Sequence, residues 1–390
     1  MTMTDLAITG GLVLLPGEGL AATALALTEG AIAAIGRAGP GGGAGRRFDA
    51  SGLWVLPGLI DLHGDAFERQ LQPRPGVEFP VPLAIADTEA QLLANGITTA
   101  FLGVTLSWEP GLRGIATWRA LLAALAAHRG ACDLRVHLRW EAFNLEALAE
   151  AEAAIAAGVV GLLAFNDHTP SILARLDDPA AAAKYTERAG VSPAAFRETA
   201  ARVSGRGAEV APAQARLAAA ARAAGIPIAS HDDASLADRD RFRALGARIC
   251  EFPMAEAVGL AARAAGDAVV MGSPNVVRGR SHLGWASAAA MAEAGVCSVL
   301  TSDYFYPAMA RAALILAGRG VLGIEAAWDL VSAAPAAAAG LADRGRIAPG
   351  LRGDLVVLTP PGPDGGTRVV ASIVSGRIAY LAAEGISRLA

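Results

Sequence analysis

The stretch Leu56-Pro57-Gly58-Leu59-Ile60-Asp61-Leu62-His63-Gly64-Asp65 decides how this chain reads. Its apolar run, Leu53 to Leu62, has the character of a buried strand, and it delivers a histidine and an aspartate at i and i+2 where the run ends. Alternate residues of a strand face the same side, so His63 and Asp65 can grip one metal ion together. If they do, further ligands should stand at the ends of later strands.

The middle of the chain alternates apolar runs with Ala-rich helical segments, the rhythm of a parallel α/β barrel. The pattern predicts strands at Trp54–Leu62, Thr98–Val104, Leu134–Glu141, Val159–Asn166, Ile226–Ser230, Arg248–Phe252, Ala268–Gly272 and Ser298–Ser302. Helical runs such as Thr117–Arg129, Leu145–Ala157, Ala211–Ala224 and Ser287–Ala294 lie between them. Eight strands with intervening helices is the count of a (β/α)8 TIM barrel, and 390 residues suit a barrel plus an appended domain. Residues 1–52 and 346–390 read instead as short strands and turns, which predicts one discontinuous β-sandwich domain built from both chain ends, with the barrel at 53–345.

Composition narrows the class. Hydrophobic residues make up 53% and charged residues 18%, as in a globular protein, and no stretch reaches the roughly 18–20 uninterrupted apolar residues of a bilayer span. A net charge of −4 argues against a nucleic-acid or other polyanion-binding surface. Cys132, Cys250 and Cys297 are widely spaced and odd in number, which suits free thiols in a reducing, cytoplasmic setting. Lys184 is the single lysine and sits in a helix-like run, so it cannot supply a carboxylated lysine at a strand end.

Active-site residues of a barrel sit at the C-terminal ends of its strands. Those ends offer His63 and Asp65, Glu141, Asp167-His168, His231-Asp232-Asp233, Asn275 and Asp303. One histidine at a strand end is commonly just a capped or hydrogen-bonded residue. Three of the six histidines, together with carboxylates at other strand ends, form a pattern that points to metal. His63, Asp65, His168 and His231 can each donate a lone pair, and Glu141 has two oxygens with which to bridge two ions. Such nitrogen and oxygen donors suit one or two divalent ions, zinc first, with manganese or iron as alternatives. His137 and Arg139 share a face with Glu141 but lie deeper, where hydrogen bonding inside the barrel accounts for His137.

The Pro-Gly-x-Ile-Asp-x-His-x-Asp pattern of residues 57–65 resembles the first-strand signature of the amidohydrolase superfamily of metal-dependent barrels. The resemblance implies that Asp303 both binds metal and shuttles the proton of the attacking water, and that Glu141 stands where others use a carboxylated lysine. It also implies single histidine ligands on strands five and six, whereas His168 and His231 follow strands four and five here. Either a strand between 170 and 225 is unrecognised, or the assignment is shifted in this chain.

Further segments resemble one family in that superfamily. They are Gln72-Pro-Arg-Pro-Gly-Val-Glu-Phe-Pro80, Leu138-Arg-Trp-Glu141, Asp167-His-Thr-Pro170, Lys184-Tyr185, Ala229-Ser-His-Asp-Asp-Ala234, Glu251-Phe-Pro253, Met271-Gly-Ser-Pro-Asn-Val-Val-Arg-Gly279, Ser281-His282 and Ser302-Asp-Tyr304. In this order they are similar to the ribose 1-methylphosphonate 5-triphosphate diphosphatases of the carbon–phosphorus lyase pathway. The resemblance implies a phosphorylated-sugar substrate, loss of pyrophosphate, and a possible homo-oligomer. Arg278 on the loop after strand seven would contact phosphate oxygens, with Arg74, Lys184, His282 and Asn275 as further substrate-binding candidates. No GxxxxGK[ST] loop is present, so the chain is not a P-loop enzyme. The rival reading is an amidohydrolase that cleaves a C–N bond of a cyclic amide, acylated amine or nucleobase, for which Arg278 and its neighbours have no need.

Overall fold

The computed structural model describes residues 4–36, 44–279, 287–362 and 365–390. Eight parallel strands lie side by side in chain order: β1 (Leu59–Gly64), β2 (Ile97–Leu106), β3 (Asp133–Glu141), β4 (Val160–Asn166), β5 (Ile228–His231), β6 (Ile249–Glu251), β7 (Ala268–Gly272) and β8 (Val299–Thr301). Period-two alternation sets their two faces. On β3, Val136, Leu138 and Trp140 turn outward into the core shared with the helices, while His137, Arg139 and Glu141 turn toward the barrel axis. Ile60, Leu62, Phe101, Leu162, Ala164, Ala229, Ile249, Val270 and Val299 fill the interior, so the barrel has a packed floor.

The predicted first strand is in fact two. Trp54–Pro57 pairs with Leu355–Leu358 in an outer sheet, and the chain then changes partners. Gly58 donates to the Asp354 carbonyl at 2.9 Å, and Leu59 donates to Gly96 at 3.0 Å as the barrel begins. Only glycine fits at this crossing, because a Cβ on residue 58 would stand 2.4 Å from Thr98 Oγ1. No strand occupies 169–223 among the described residues. The segment forms helices Thr169–Leu173, Pro179–Ala189, Pro193–Ser204 and Gly207–Ala223. His168 and His231 therefore do follow strands four and five. The first three of these helices pack on Trp108, just past the end of β2, and so lie on the mouth side of the barrel.

Both chain ends contribute the remaining sheets. One has the order Ala31–Ile35, Leu25–Thr28, Thr4–Thr9, Ala44–Asp49; the other runs Arg377–Leu381, Val369–Val374, Leu355–Leu358, Trp54–Pro57, Leu12–Leu15, Gly19–Ala22. Leu6, Ile8, Leu25 and Phe48 from the first share a core with Val13, Val55, Leu355 and Ile373 from the second. The strands Gly19–Ala22 and Ala44–Asp49 are the two that hydropathy alone does not pick out, being short, Ala- and Gly-rich or Arg-bearing. No described helix is long and apolar enough to cross a membrane.

Closure of the barrel rests on β1 and β8, the two outer members of the ladder. Asp303 donates its amide to the His63 carbonyl at 2.9 Å, and Asp65 donates to the Asp303 carbonyl at 3.0 Å. Asp61, fully buried beneath them, accepts from the Ser302 amide at 3.0 Å and from the hydroxyls of Thr301 and Ser302. Toward the floor, Ile60 and Leu300 donate to Val331 and Leu330, so the turn after helix Ile324–Asp329 fills the seam where β1 and β8 diverge. Asp61→Ala would leave the buried amide and hydroxyl of Ser302 without an acceptor, and would leave the Thr301 hydroxyl only the His63 carbonyl at 2.8 Å. We expect it to lower unfolding free energy by about 3 kcal/mol or more in a urea titration; a change well below ~1 kcal/mol would mean that the backbone exchange alone holds the seam.

Candidate active site

All six sequence-predicted ligand residues come together at the C-terminal mouth. Glu251, which ends β6 in the Glu251-Phe-Pro253 segment and which the sequence pattern does not single out as a ligand, lies at the centre. Its Oε2 is 3.1 Å from His63 Nδ1, 3.4 Å from His231 Nδ1 and 3.8 Å from His137 Nε2. The His63 and His231 rings stack with centroids 5.2 Å apart, and Phe252 packs edge-on against both. A second group forms beside it. His168 bonds through Nδ1 to Glu141 Oε1, its amide donates to Glu141 Oε2 at 3.2 Å, and Asp232 lies 3.6 Å from His168 Nε2 and 3.5 Å from His231 Nε2.

Three residues at the strand ends adopt the left-handed backbone region without being glycine: Asp232 (φ 59°), Phe252 (φ 51°) and Asp303 (φ 57°). Each stands just past a strand, with its amide bonded to the next strand's backbone: Asp232 to Glu251, Phe252 to Val270, Asp303 to His63. The ladder imposes the unfavourable conformation, and the side chains are aimed into the mouth as a result. Gly272 gives the Asp303 carboxylate its room, since a Cβ there would lie 3.1 Å from Oδ2.

Crowding shifts the titration of these groups. Burial and then the neighbouring Asp65 push the Asp303 carboxyl up to about 8. Burial followed by Arg139 holds His63 and His231 well below the usual imidazole range, so both are neutral lone-pair donors at pH 7. His168 behaves oppositely: burial opposes its charge, but Glu141 and Asp232 outweigh it and raise the imidazole to about 9.

The residues fit a divalent ion. His63, His231 and Glu251 offer ligand atoms within 4.8 Å of one another, as do His168, His231 and Asp232, and the two groups share His231. Glu251 Oε1 and His137 Nε2 are buried without a hydrogen-bond partner, which leaves donor capacity free at the centre. Two imidazoles with one carboxylate is a donor set for zinc or another first-row metal. Asp65, Glu141 and Asp303 line the same mouth outside these two groups.

The remaining candidates are spread more widely. Arg278 closes the short helix Ser273–Arg278 after β7 and reaches the Tyr304 hydroxyl, one residue from Asp303, at 3.4 Å. Asn275, on the same helix, accepts from the Ala288 amide at 3.1 Å and thereby ties down the next helix. Arg74 is exposed in the turn after helix Glu68–Leu71. Lys184 is exposed on Pro179–Ala189, and among the described residues no hydrogen bond or ion pair links it to the mouth. His282 lies outside the described residues. His137 donates to the Leu62 carbonyl at 3.0 Å inside the barrel, as expected of it, and His128 bonds Glu89 beyond the end of its helix. Asp233 forms a buried pair with Arg239 at 3.0 Å.

A sequential parallel barrel whose mouth gathers histidines and carboxylates from the ends of β1, β3, β4, β5, β6 and β8 has the architecture of a barrel hydrolase. Solved structures share the fold at low identity. N-isopropylammelide isopropylaminohydrolase from Burkholderia multivorans superposes with a TM-score of 0.65 at 19% identity, over 96% of this chain and 98% of that one. A zinc-bound adenosine deaminase from Xanthomonas campestris gives 0.64 at 16%, over 97% and 95%. N-acetylglucosamine-6-phosphate deacetylase from Pasteurella multocida gives 0.64 at 12%, over 96% and 99%. No family model matches the sequence. The alpha-D-ribose 1-methylphosphonate 5-triphosphate diphosphatase of Escherichia coli (strain K12) is 32% identical over 319 residues, covering 79% of this chain and 84% of that protein. The chain belongs to that diphosphatase family.

Glu251 makes a direct test of the centre. Glu251→Gln keeps the shape but removes the negative charge shared by His63 and His231, and should weaken divalent-ion affinity by about 10–100-fold. Competition with a chromogenic chelator measures this, and unchanged affinity would remove Glu251 from the ion site.

Proposed function

We propose that this chain hydrolyses α-D-ribose 1-methylphosphonate 5-triphosphate to the 5-phosphate, releasing pyrophosphate, in cytoplasmic phosphonate catabolism. The observation that carries this reading is the match to the diphosphatase across most of both chains. The mouth suits the task, since it joins a metal-fitting donor set to arginines within reach of it. The same reading gives catalysis to residues 53–345 and a supporting role to the domain formed by 1–52 and 346–390.

A divalent ion, when held by His63, His231 and their carboxylate neighbours, supplies an activated water and neutralises charge on the phosphates. The chain's own residues do the rest. Water oxygen bonds to the α-phosphorus as the bridging bond to the β-phosphate breaks, and the electron pair of that bond leaves on pyrophosphate. Burial and Asp65 raise the proton affinity of Asp303, and in its ionised form the carboxylate takes one proton from the water and returns it to the departing pyrophosphate. Arg278, at the rim beside Tyr304, engages the outer phosphate oxygens.

Phosphorus NMR of the metal-loaded protein with the ribose triphosphate tests the reading: equal amounts of pyrophosphate and 5-phosphate are expected. Ion-loaded protein that leaves the triphosphate intact but cleaves a cyclic amide or acylated amine would replace it. Asp303→Asn should keep its ion by elemental analysis and lose about 10²–10⁴-fold in kcat. Arg278→Ala should raise KM for the triphosphate by about tenfold with little change in kcat; an equal rise for a neutral ester would reduce Arg278 to holding its loop.

A further inference from the structure

Arg139 reaches across the mouth from below. It stands on β3 one inward position before Glu141, and its side chain is only 5% exposed. The guanidinium touches two other strands: Nη2 is 3.1 Å from His231 Nε2 on β5, and Nη1 is 3.5 Å from Asp65 Oδ2 past the end of β1. Its Nε is buried without a partner. Arginine is always charged and carries five N–H donors, so a single imidazole nitrogen and one loosely placed carboxylate leave most of that capacity unused.

Other buried or half-buried arginines in this chain are used differently. Arg239 donates to Ser230, Asp233 and the Ala247 carbonyl. Arg344 donates to Asp343, Thr99 and Asp133, and Arg113 grips both oxygens of Glu68. Each is wired into carboxylates as a structural cation should be. Arg239 also has a buried Nε without a partner, but Arg139 alone of the four has no carboxylate closer than 3.5 Å, and the barrel makes room for it. Gly103 on β2, which pairs with His137, has no side chain in the interior, where a Cβ would come within 3.2 Å of Arg139 Cδ and 3.8 Å of His63 Nε2. A strand glycine that admits an unsaturated cation to the floor of a mouth full of ligands points to an anionic partner that arrives with the substrate.

We propose that Arg139 is a catalytic residue that donates hydrogen bonds to the non-bridging oxygens of the phosphoryl group under attack. The inference rests on the phosphoanhydride reading above and adds to it the group that meets the reacting phosphorus, distinct from Arg278 at the rim. The planar fork suits two oxygens of one phosphoryl group. Its place between Asp65 and His231 sets it beside the ion-binding donors, where charge develops as the bridging bond breaks.

Arg139→Ala and Arg139→Lys, each metal-loaded, test this. We expect Arg139→Ala to keep its ion content by elemental analysis, to lose about 10²–10³-fold in kcat, and to regain turnover on addition of millimolar guanidinium. Arg139→Lys should fall between the two, because a point charge replaces the fork. Turnover of Arg139→Ala within about threefold of the parent overturns the proposal. So does a loss of turnover that follows loss of the ion and does not respond to guanidinium, since both describe a structural residue. Calorimetric titration of inorganic phosphate into the parent and Arg139→Ala separates this inference from the substrate reading. Phosphate affinity that falls about tenfold in the variant upholds Arg139 even if the parent leaves the ribose triphosphate intact, and equal affinity overturns it.

Discussion

Everything at the mouth depends on the seam between β1 and β8. In the ladder these strands are the two ends of a sheet, so an open sheet would hold His63 and Asp303 at opposite edges. The exchange of backbone bonds between His63, Asp65 and Asp303, with Asp61 gripping Thr301 and Ser302 beneath, makes them neighbours instead. Because the strands are parallel, that one closure gathers every C-terminal end around a common axis. A carboxylate without charge compensation from a nearby cation is an expensive way to fasten a barrel, and it works here because three donors converge on it in a site closed to water.

The closure creates a second constraint. Asp65, Glu141, Asp232, Glu251 and Asp303 are pressed together, with His168 and Arg139 as the cations among them and Arg113 and Arg69 acting on Asp65 from outside. Like charges in a low-dielectric space oppose each other's ionisation, which is why Asp303 rises to about 8 once burial and Asp65 act on it. A mouth of this kind gains from taking up cations, and the neutral imidazoles of His63 and His231 are the groups ready to bind them. The strained backbone at Asp232, Phe252 and Asp303 belongs to the same arrangement, because relaxing it would turn two carboxylates and the ring wedged against both histidines away from the axis.

Much of this is legible in the chain because a barrel writes its site into strand ends. Apolar runs locate the strands, and the polar residue that breaks each run marks the mouth, so His63, Glu141, His231 and Asp303 can be read from hydropathy and order. Glu251 is harder to find. It ends a strand of three residues, and a lone Glu before Phe-Pro gives no period or spacing that sets it apart. Arg139 is missed for a different reason: it precedes the strand end, and only the length of its side chain and the absence of one at Gly103 bring it to the mouth. Contacts made by reach rather than by register have no signature in sequence. The split at Gly58 is similar, since a change of hydrogen-bond partner leaves the apolar run unbroken.

The first-strand pattern and Arg139 are parts of one electrostatic arrangement. Where a histidine at position 65 would bring a neutral donor, aspartate brings a negative charge, and the nearest basic side chain to it is Arg139 at 3.5 Å. The same guanidinium donates to His231, the histidine common to both ion-fitting groups. Any anion that draws Arg139 toward itself therefore loosens its hold on Asp65 and on His231 Nε2 at once, freeing a carboxylate oxygen and an imidazole lone pair. If Arg139 meets the substrate as proposed, substrate charge and ion binding are coupled through one side chain, and the affinities for phosphate and for metal move together.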